Sequence, residues 1–384
     1  MRSRVLGGVA GSHTSPRIEA TRGLAALAVL AYHLQVVTHG YNGSWPALTP
    51  GARVLMFGQF GVAVFFALSG YLLFRPWLRT VITAQRIDIK RYALNRVLRI
   101  LPLYYAAVVL LLLVQPSPLS WDQMWHHLVF AQYLTPDVRP VDGPLWSLIC
   151  EVEFYALLPL LGAALLSIAR GSSARAVWSV TGFAVAAWAL SRAALTQTPY
   201  PVWNFSLAAN LVYFAPGMLV AAVEVHSRHT AIRVPHARSI AVGLSVGAAG
   251  CWALLLPWPT RDEVLLAAAA TLAAVVACNH AFPVQRRRFA AMAALGLCSY
   301  SLYVWHLPIV SALAGAGILN GWLPHDAAIA VPLCVLAAAL SYALIEAPFL
   351  RLRRRWTAEA LRVGLGASAT PVPPRQSPQP RALG

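Results

Sequence analysis

The stretch "TRGLAALAVLAYHL", residues 21–34, decides the class of fold. It is almost wholly apolar, yet Arg22 and His33 bracket the ten residues between them. A membrane helix needs about 20 mainly apolar residues, and the apolar run around this stretch extends over residues 20–38. The stretch therefore predicts a membrane-spanning helix that carries two ionisable side chains.

The composition of the whole chain points to the same class. Of its 384 residues, 58% are hydrophobic and only 11% are charged, whereas soluble domains carry about 25% charged residues. The formal net charge of +17 would favour a nucleic-acid partner in a soluble protein. Here the basic residues form short clusters between apolar runs, so membrane topology explains them and a nucleic-acid partner is not expected.

Ten windows are long and apolar enough to span a bilayer. They predict an all-α, polytopic membrane helix bundle of about ten transmembrane helices, and they cover residues 20–38, 57–75, 97–115, 145–168, 175–195, 203–224, 239–256, 263–283, 291–312 and 327–349.

The distribution of arginine and lysine predicts the orientation of this bundle. Basic clusters precede the first window, follow the last one and occupy every second connection, while the other connections carry only Arg53, Arg139 and Arg261. Positively charged connections stay in the cytoplasm. We therefore expect a multi-pass plasma-membrane protein with both termini in the cytoplasm.

The chain divides into three parts by composition. We expect a cytoplasmic N-terminal segment over residues 1–17, a transmembrane domain over 18–350, and a basic, then Pro-rich cytoplasmic tail over 351–384 that is disordered. The N-terminal segment lacks a long apolar core, so no cleaved signal peptide is expected. An appended soluble catalytic domain is not expected either.

The longest outer connection, residues 116–144, contains the aromatic, amphipathic segment "WDQMWHHLVFAQYL" at 121–134. This pattern predicts a helix at the membrane interface or over an outer cavity. His126 and His127 are adjacent, so they point to different sides of a helix and make a poor metal pair. The five cysteines are odd in number and form no CxxC pair, so neither a metal site nor a disulfide framework is predicted.

Ionisable residues at membrane depth are the best candidates for chemistry. Eleven positions separate Arg22 from His33, which gives about 16 Å of rise and roughly 20° of rotation, so both lie on one helix face. Glu151 in the fourth window has a depth in the membrane similar to that of His33. Tyr155 lies on the same helix face as Glu151, whereas Glu153 points away from that face. Glu151 could orient His33 as a general base, or the two could form a purely structural bridge between helices.

Two arginines stand one turn apart at the start of the third window. Arg96 and Arg99 are either ordinary positive-inside residues or, together with Arg22, a basic mouth for a phosphate-bearing donor such as acyl-coenzyme A. Spacing leaves both interpretations open.

Three further polar residues lie inside apolar windows. Ser69, beside Gly70, is more typical of close helix packing than of catalysis. His306 either forms a second polar wall of a cavity or is a hydrogen-bonded structural histidine. Glu346 lies near four arginines, where charge compensation is its expected role.

Six stretches that contain these candidate residues, taken in order, resemble the acyltransferase 3 family of integral membrane O-acyltransferases. They are "RIEATRGLAALAVLAYH", "FGVAVFFALSGYLL", "NRVLRILPLYY", "GPLWSLICEVEFY", "SYSLYVWHLP" and "SYALIEAPF", and they extend from residue 17 to about 350. The resemblance implies a ten-helix bundle that moves an acyl group from a cytoplasmic donor to an acceptor at the outer face. We expect acyl-coenzyme A as the co-substrate, with no tightly bound cofactor and no metal.

The resemblance carries over to particular residues. The family's essential arginine and histidine, ten residues apart, match Arg22 and His33, and its R-x-x-R motif matches Arg96 and Arg99. The glutamate of its W-S-L-x-x-E-x-x-F-Y pattern matches Glu151. The family often has a second acidic residue next, where this chain has Val152, so Glu153 inherits no role.

The expected catalytic pair is His33 with Glu151, and Ser69, Tyr155 and His306 complete the candidate substrate-binding set beside the three arginines. His33 would act as a general base in direct attack or as the nucleophile of an acyl-histidine relay. The acceptor could be a cell-surface glycan, a glycolipid or a glycosylated metabolite. A multi-span transporter or flippase is the main alternative function, and a membrane glycosyltransferase is a weaker one.

Overall fold

The computed structural model describes residues 15–40, 49–83, 86–114, 120–132, 138, 141–196, 204–232, 235–254, 260–284, 287–353 and 356. Most of the predicted N-terminal segment and nearly all of the Pro-rich tail lie outside these residues, as does Arg139.

The described part of the chain is helical and contains no strand. Its α-helices are α1 Pro16–His39, α2 Pro50–Met56, α3 Gly61–Thr83, α4 Ile89–Val114, α5 Trp121–Leu128, α6 Leu145–Ala169, α7 Ser173–Thr196, α8 Leu207–Asn210, α9 Ala215–His229, α10 Ala237–Leu254, α11 Arg261–Ala281, α12 Ala290–Leu297, α13 Ser299–Gly315 and α14 Leu323–Ser341. Short 3₁₀ turns at Phe57–Phe60 and Leu211–Tyr213 precede α3 and α9.

These helices make a polytopic membrane bundle, as predicted. Within the described residues, eight helices are long and apolar enough to cross a membrane, and the bent pair α12–α13 makes a ninth. Helix α7 coincides with the remaining predicted window and has 24 residues, but its composition is less apolar than that of the other nine.

Helix α1 begins where the sequence provides a start signal. Ser15 is the N-cap and its side chain accepts a hydrogen bond from the backbone N–H of Arg17, while Pro16 occupies the first turn, where no backbone donor is needed. Gly40 ends the helix with a φ of 70°, a conformation that glycine adopts without strain.

Helices α1 and α11 run antiparallel, which defines the two ends of the bundle. At the start of α1, Arg17 donates hydrogen bonds to the carbonyl oxygens of Cys278 and Phe282 at the end of α11, at 2.9 and 3.1 Å. Near the end of α1, His33 shares a cavity with Arg261, the first residue of α11. We call the end with Arg17 the basic end and the end with Arg261 the far end.

Glycines allow three pairs of segments in the bundle to approach each other closely. A Cβ atom on Gly70 of α3 would overlap the carbonyl oxygen of Phe214, and one on Gly217 of α9 would overlap that of Ala67. A Cβ on Gly296 of α12 would likewise overlap the carbonyl oxygen of Glu19 in α1. Close packing at the Ser69–Gly70 step is therefore confirmed, since small residues let backbones meet.

The helices are irregular at two places in the bundle. Helices α12 and α13 meet at a bend of 74°, which places the N-terminus of α13 inside the bundle. A π-turn at Tyr342–Glu346 follows α14, and such turns frequently occur at functional sites.

Helix α5, in the connection between α4 and α6, is amphipathic, as predicted. Trp121 is 82% exposed and Trp125 is 48% exposed, whereas His127 is fully buried. The Tyr104 hydroxyl donates a 2.7 Å hydrogen bond to the His127 carbonyl, which fixes α5 against α4.

Candidate active site

A small polar pocket lies within the bundle among α1, α3, α4, α6 and α13. It has a volume of about 50 Å³, and we call it the inner pocket. Its polar lining residues are Arg22, Ser69, Arg99, Ser147, Glu151, Tyr155, Ser299, Tyr300 and Tyr303. Five of the eight residues that the sequence put forward as candidates meet here.

Glu151 accepts two short hydrogen bonds in the inner pocket. The hydroxyls of Ser69 and Tyr155 each donate to its Oε1 at 2.6 Å. Tyr155 reaches it from one turn along α6, as the i, i+4 spacing predicts, while Ser69 comes from α3. Ser69 therefore does more than permit packing, because it fixes the carboxylate from a second helix.

Arg22 lies beside the start of the broken helix. Its Nε donates to Ser299 Oγ at 3.4 Å, and it is 4.0 Å from Glu19 of its own helix. Ser299 is the first residue of α13, so the partial positive charge of that helix end adds to the guanidinium charge. This corner of the inner pocket suits a negatively charged or strongly polarised oxygen.

The two arginines of the R-x-x-R motif take different positions. Arg99 lines the inner pocket with Arg22, whereas the guanidinium of Arg96 lies 5.6 Å from the centre of the Tyr155 ring. Arg96 is outside the described lining of the pocket, and its buried Nε has no hydrogen-bond partner among the described residues. The structure thus brings two of the three arginines to the inner pocket, and the third packs against the Tyr155 ring.

A larger cavity opens toward the far end. It measures about 460 Å³ and we call it the outer cavity. Its polar lining includes Tyr32, His33, Gln59, Asn210, Tyr213, Arg261 and Tyr303, and its aromatic and apolar lining includes Val62, Phe66, Trp146 and Phe205. A volume between about 300 and 1,000 Å³ is typical of small-molecule sites.

His33 is paired with a second histidine rather than with the predicted carboxylate. Its Nδ1 lies 3.0 Å from the Val29 carbonyl oxygen and 3.0 Å from His306 Nε2. The hydrogen bonds of the described residues contain none between His33 and Glu151. Equal depth in the bundle did not bring the two together, because Glu151 faces the inner pocket and His33 the outer cavity.

The carbonyl partners fix the tautomers of both rings. His306 Nδ1 lies 2.7 Å from the Tyr303 carbonyl oxygen, which only accepts, so this nitrogen carries a proton. Nε2 of a neutral His306 is then an acceptor, and His33 Nδ1 donates to it as well as to Val29. His33 Nε2 is left with its lone pair and with no hydrogen-bond partner in the part of the chain that the structure describes.

The two cavities adjoin each other. Val62, Phe66 and Tyr303 line both of them, and the Tyr303 hydroxyl is held between Ser147, at 2.7 Å, and the Pro144 carbonyl, at 2.9 Å. A group that passes from the arginines to His33 has to cross this three-residue boundary.

Several residues of the site are not evident from the sequence. Tyr303, Ser147 and Ser299 carry no charge, and their only signal is their place in the motif stretches that surround His306 and Glu151. Glu346 was expected to compensate the arginines that follow it. In the structure it accepts a hydrogen bond from the Ser301 hydroxyl and has Arg99 and Arg22 as charged neighbours. Two of the following arginines, Arg354 and Arg355, lie outside the described residues.

Comparison with known proteins identifies the family and relatives of this chain. The acyltransferase 3 family model, described as "Acyltransferase domain", matches residues 15–346. The chain is 25% identical to "Nodulation protein 10" of Rhizobium leguminosarum bv. viciae, over 84% of this chain and 89% of that protein. It is 24% identical to "O-acetyltransferase OatA" of Staphylococcus aureus (strain NCTC 8325 / PS 47), over 87% of this chain and 57% of that protein. No solved structure matches the chain.

The bundle and its two adjoining cavities define a multi-pass membrane protein with a candidate site inside the bundle. Because the family model spans most of the chain, this protein belongs to the acyltransferase 3 family and is a membrane O-acyltransferase. The resemblance drawn from the six sequence stretches is thereby confirmed.

Proposed function

We propose that this protein moves an acetyl or other short acyl group from acyl-coenzyme A to a hydroxyl of an acceptor bound in the outer cavity. The observation that carries the proposal is the contact between the two cavities. Arginines line one cavity and a histidine with a free Nε2 lines the other.

The inner pocket suits the thioester end of the donor. Arg22, Arg99 and the N-terminus of α13 at Ser299 supply positive charge at one place. As the acceptor oxygen attacks the thioester carbonyl, negative charge develops on the carbonyl oxygen, and such preorganised positive groups stabilise it.

His33 is the proposed base for this attack. Its Nε2 removes the acceptor hydroxyl proton while the new C–O bond forms, and the C–S bond then breaks to release the thiolate of coenzyme A. His306 holds the Nδ1–H of His33 and so keeps Nε2 available. The proton on Nε2 then passes to the departing thiolate or to solvent, which returns His33 to its neutral form.

The acyl-histidine relay is a second version of the same reaction. His33 Nε2 would attack the thioester carbonyl and form an N–C bond while the C–S bond breaks and the thiolate of coenzyme A leaves. The acceptor hydroxyl would then attack the acyl carbon and displace Nε2, and its proton would pass to the thiolate or to solvent. The position of His33 in the outer cavity, beyond Val62, Phe66 and Tyr303, favours this version for acyl passage. Rapid quenching with a labelled acyl donor and no acceptor separates the two, because only the relay labels the protein.

We further propose that the basic end faces the cytoplasm and the far end the outer side of the plasma membrane. The clusters of arginine at the basic end support this orientation. Labelling of single cysteines in cells tests it. A cysteine placed at residue 51 should react with a membrane-impermeant maleimide, and one placed at residue 171 should not.

The deciding experiment for the activity uses purified protein in lipid nanodiscs with labelled acetyl-coenzyme A. We expect thiol release that depends on an added hydroxyl-bearing sugar and that is lost in His33→Ala at unchanged expression. Normal acylation by the His33→Ala protein would overturn both versions. Flux of a glycolipid without thiol release would support the transporter or flippase instead.

A further inference from the structure

The outer cavity contains one charged side chain that the proposed reaction does not use. Arg261, at the start of α11, lines the cavity together with His33. It lies at the end of the bundle where arginine is scarce, since the outward connections carry only Arg53, Arg139 and Arg261. The positive-inside pattern therefore does not account for its position.

The guanidinium of Arg261 is only partly engaged. Its Nη1 donates to the Ala209 carbonyl oxygen at 3.2 Å, the one hydrogen bond it makes among the described residues. The adjacent Asp262 is directed elsewhere, because its carboxylate accepts from Trp188 Nε1 at 2.9 Å and lies 3.8 Å from Arg192. Arg261 is thus left without a carboxylate partner in the described part of the chain.

No acidic residue is found among the described residues that line the outer cavity. A positively charged acceptor would meet only Arg261 and the imidazole of His33 there, so a cationic ligand is disfavoured. A carboxylate or phosphate would form charge-assisted hydrogen bonds with the guanidinium fork.

The remaining lining matches a hydroxylated ring. Trp146 packs 5.2 Å from Phe205 and 6.1 Å from Phe66, between ring centres, and gives the cavity an aromatic wall. Asn210 uses both of its N–H groups on the Asn204 and Ser206 carbonyls, which leaves its amide oxygen as an acceptor.

Gln59 offers a second amide at the cavity, with Nε2 donating to the Met56 carbonyl at 3.1 Å. Its oxygen accepts no hydrogen bond within the described residues. Two amide oxygens that accept from hydroxyls, beside an aromatic wall, give the few oriented polar groups in an apolar site that small-molecule recognition requires.

From these contacts we infer that the outer cavity binds an acidic sugar, a hydroxylated ring with a carboxylate or phosphate substituent, through Arg261. This inference rests on the proposed function, which makes the outer cavity the binding site of the acceptor. Arg261 would be a binding residue that selects among acceptors, while His33 acts on the hydroxyl.

The test measures binding in nanodiscs without an acyl donor, so that it does not depend on turnover. Isothermal titration compares methyl glucuronide, glucose 6-phosphate and the neutral methyl glucoside. We expect at least one acidic sugar to bind about 10-fold more tightly than the neutral one, equivalent to about 1.4 kcal/mol. Comparison of the two acidic sugars then decides between a carboxylate and a phosphate.

Three variants complete the test. Arg261→Gln should remove the preference for the acidic sugar, and Arg261→Lys should retain part of it. Arg53→Gln, which removes a charge at the same end but outside the described lining of the cavity, should leave the preference unchanged. Equal affinities in the wild type, no binding of any sugar, or a preference that survives Arg261→Gln would each overturn the inference.

Failure of the proposed function would look different. If acidic sugars bind through Arg261 but thiol release from acetyl-coenzyme A is absent, the binding site stands and the acyl transfer is wrong. If transfer occurs equally to neutral and acidic sugars of equal affinity, the transfer stands and the selection by Arg261 is wrong.

Discussion

His306 Nε2 lies 3.0 Å from His33 Nδ1, although the two residues are 273 positions apart along the chain. Together with the Val29 carbonyl, His306 holds the tautomer of His33 in which Nε2 carries the lone pair. The orienting group is a neutral imidazole whose own proton is fixed by the Tyr303 carbonyl.

The histidine pair makes the first prediction. His306→Leu removes one of the two acceptors of the His33 Nδ1–H, the other being the Val29 carbonyl. It should lower kcat by about 10- to 100-fold, a part of the 10²- to 10⁴-fold that a general base contributes. His306→Gln should restore part of the rate, because its amide oxygen can accept the same hydrogen bond. Steady-state kinetics in nanodiscs measure this. A merely structural role would instead give a loss of melting temperature with no difference between Leu and Gln.

The hydrogen bonds on Glu151 make the second prediction. Ser69→Ala and Tyr155→Phe each remove one 2.6 Å donor from the same oxygen. Each should lower kcat about 10-fold, since a hydrogen bond to a charged group contributes roughly 1.5–3 kcal/mol. If the carboxylate needs both donors, the double variant should be little slower than the slower single one. A rate loss near 100-fold in the double variant would mean that the two donors act independently.

The different positions of the R-x-x-R arginines make the third prediction. Arg99 lines the inner pocket, so Arg99→Gln should raise the KM for acetyl-coenzyme A about 10-fold or more. Arg96 contacts the Tyr155 ring instead, so Arg96→Gln should lower kcat with a smaller change in KM. Measurement of both constants for both variants decides. An equal rise in KM would place both arginines on the donor.

The close approach of α3 and α9 makes the fourth prediction. Gly217→Ala forces a Cβ against the Ala67 carbonyl and should destabilise the protein by at least the 1–3 kcal/mol typical of overpacking. Gly243→Ala on α10 is the matched control, because nothing lies within 4 Å of its added Cβ. Thermal unfolding in detergent compares the two. Equal melting temperatures would show that α3 and α9 can separate at no cost.

Asp142, in the connection before α6, makes the fifth prediction. Burial raises the pKa of this carboxyl to about 7, and its Oδ2 has no hydrogen-bond partner in the described part of the chain. The folded state then holds a proton that the unfolded chain releases near pH 4, so stability falls as the pH rises from about 4 to about 7 and levels off above that.

The change due to Asp142 should reach a few kcal/mol at most, since one pKa unit is about 1.4 kcal/mol. Asp142→Asn should flatten this part of the profile of melting temperature between pH 5 and pH 8. A profile of unchanged slope in the variant would assign the dependence to other groups.

The sequence by itself determined the class of fold and much of the list of site residues. The apolar windows set the spans because backbone groups in a bilayer must be satisfied within helices. The ordered motif stretches led to the family that the family model confirms. The spacing of Glu151 and Tyr155 also predicted their shared face, because it depends on one helix alone.

Only the tertiary structure decided which residues meet. Depth along a helix can be counted from the sequence, but the rotation of each helix and the choice of its neighbours depend on packing between distant segments. His33 therefore met His306 rather than Glu151, and Glu151 met Ser69. The 74° bend at α12–α13 and the place of Arg261 in the outer cavity also result from packing. Neither could be predicted from any single stretch of the sequence.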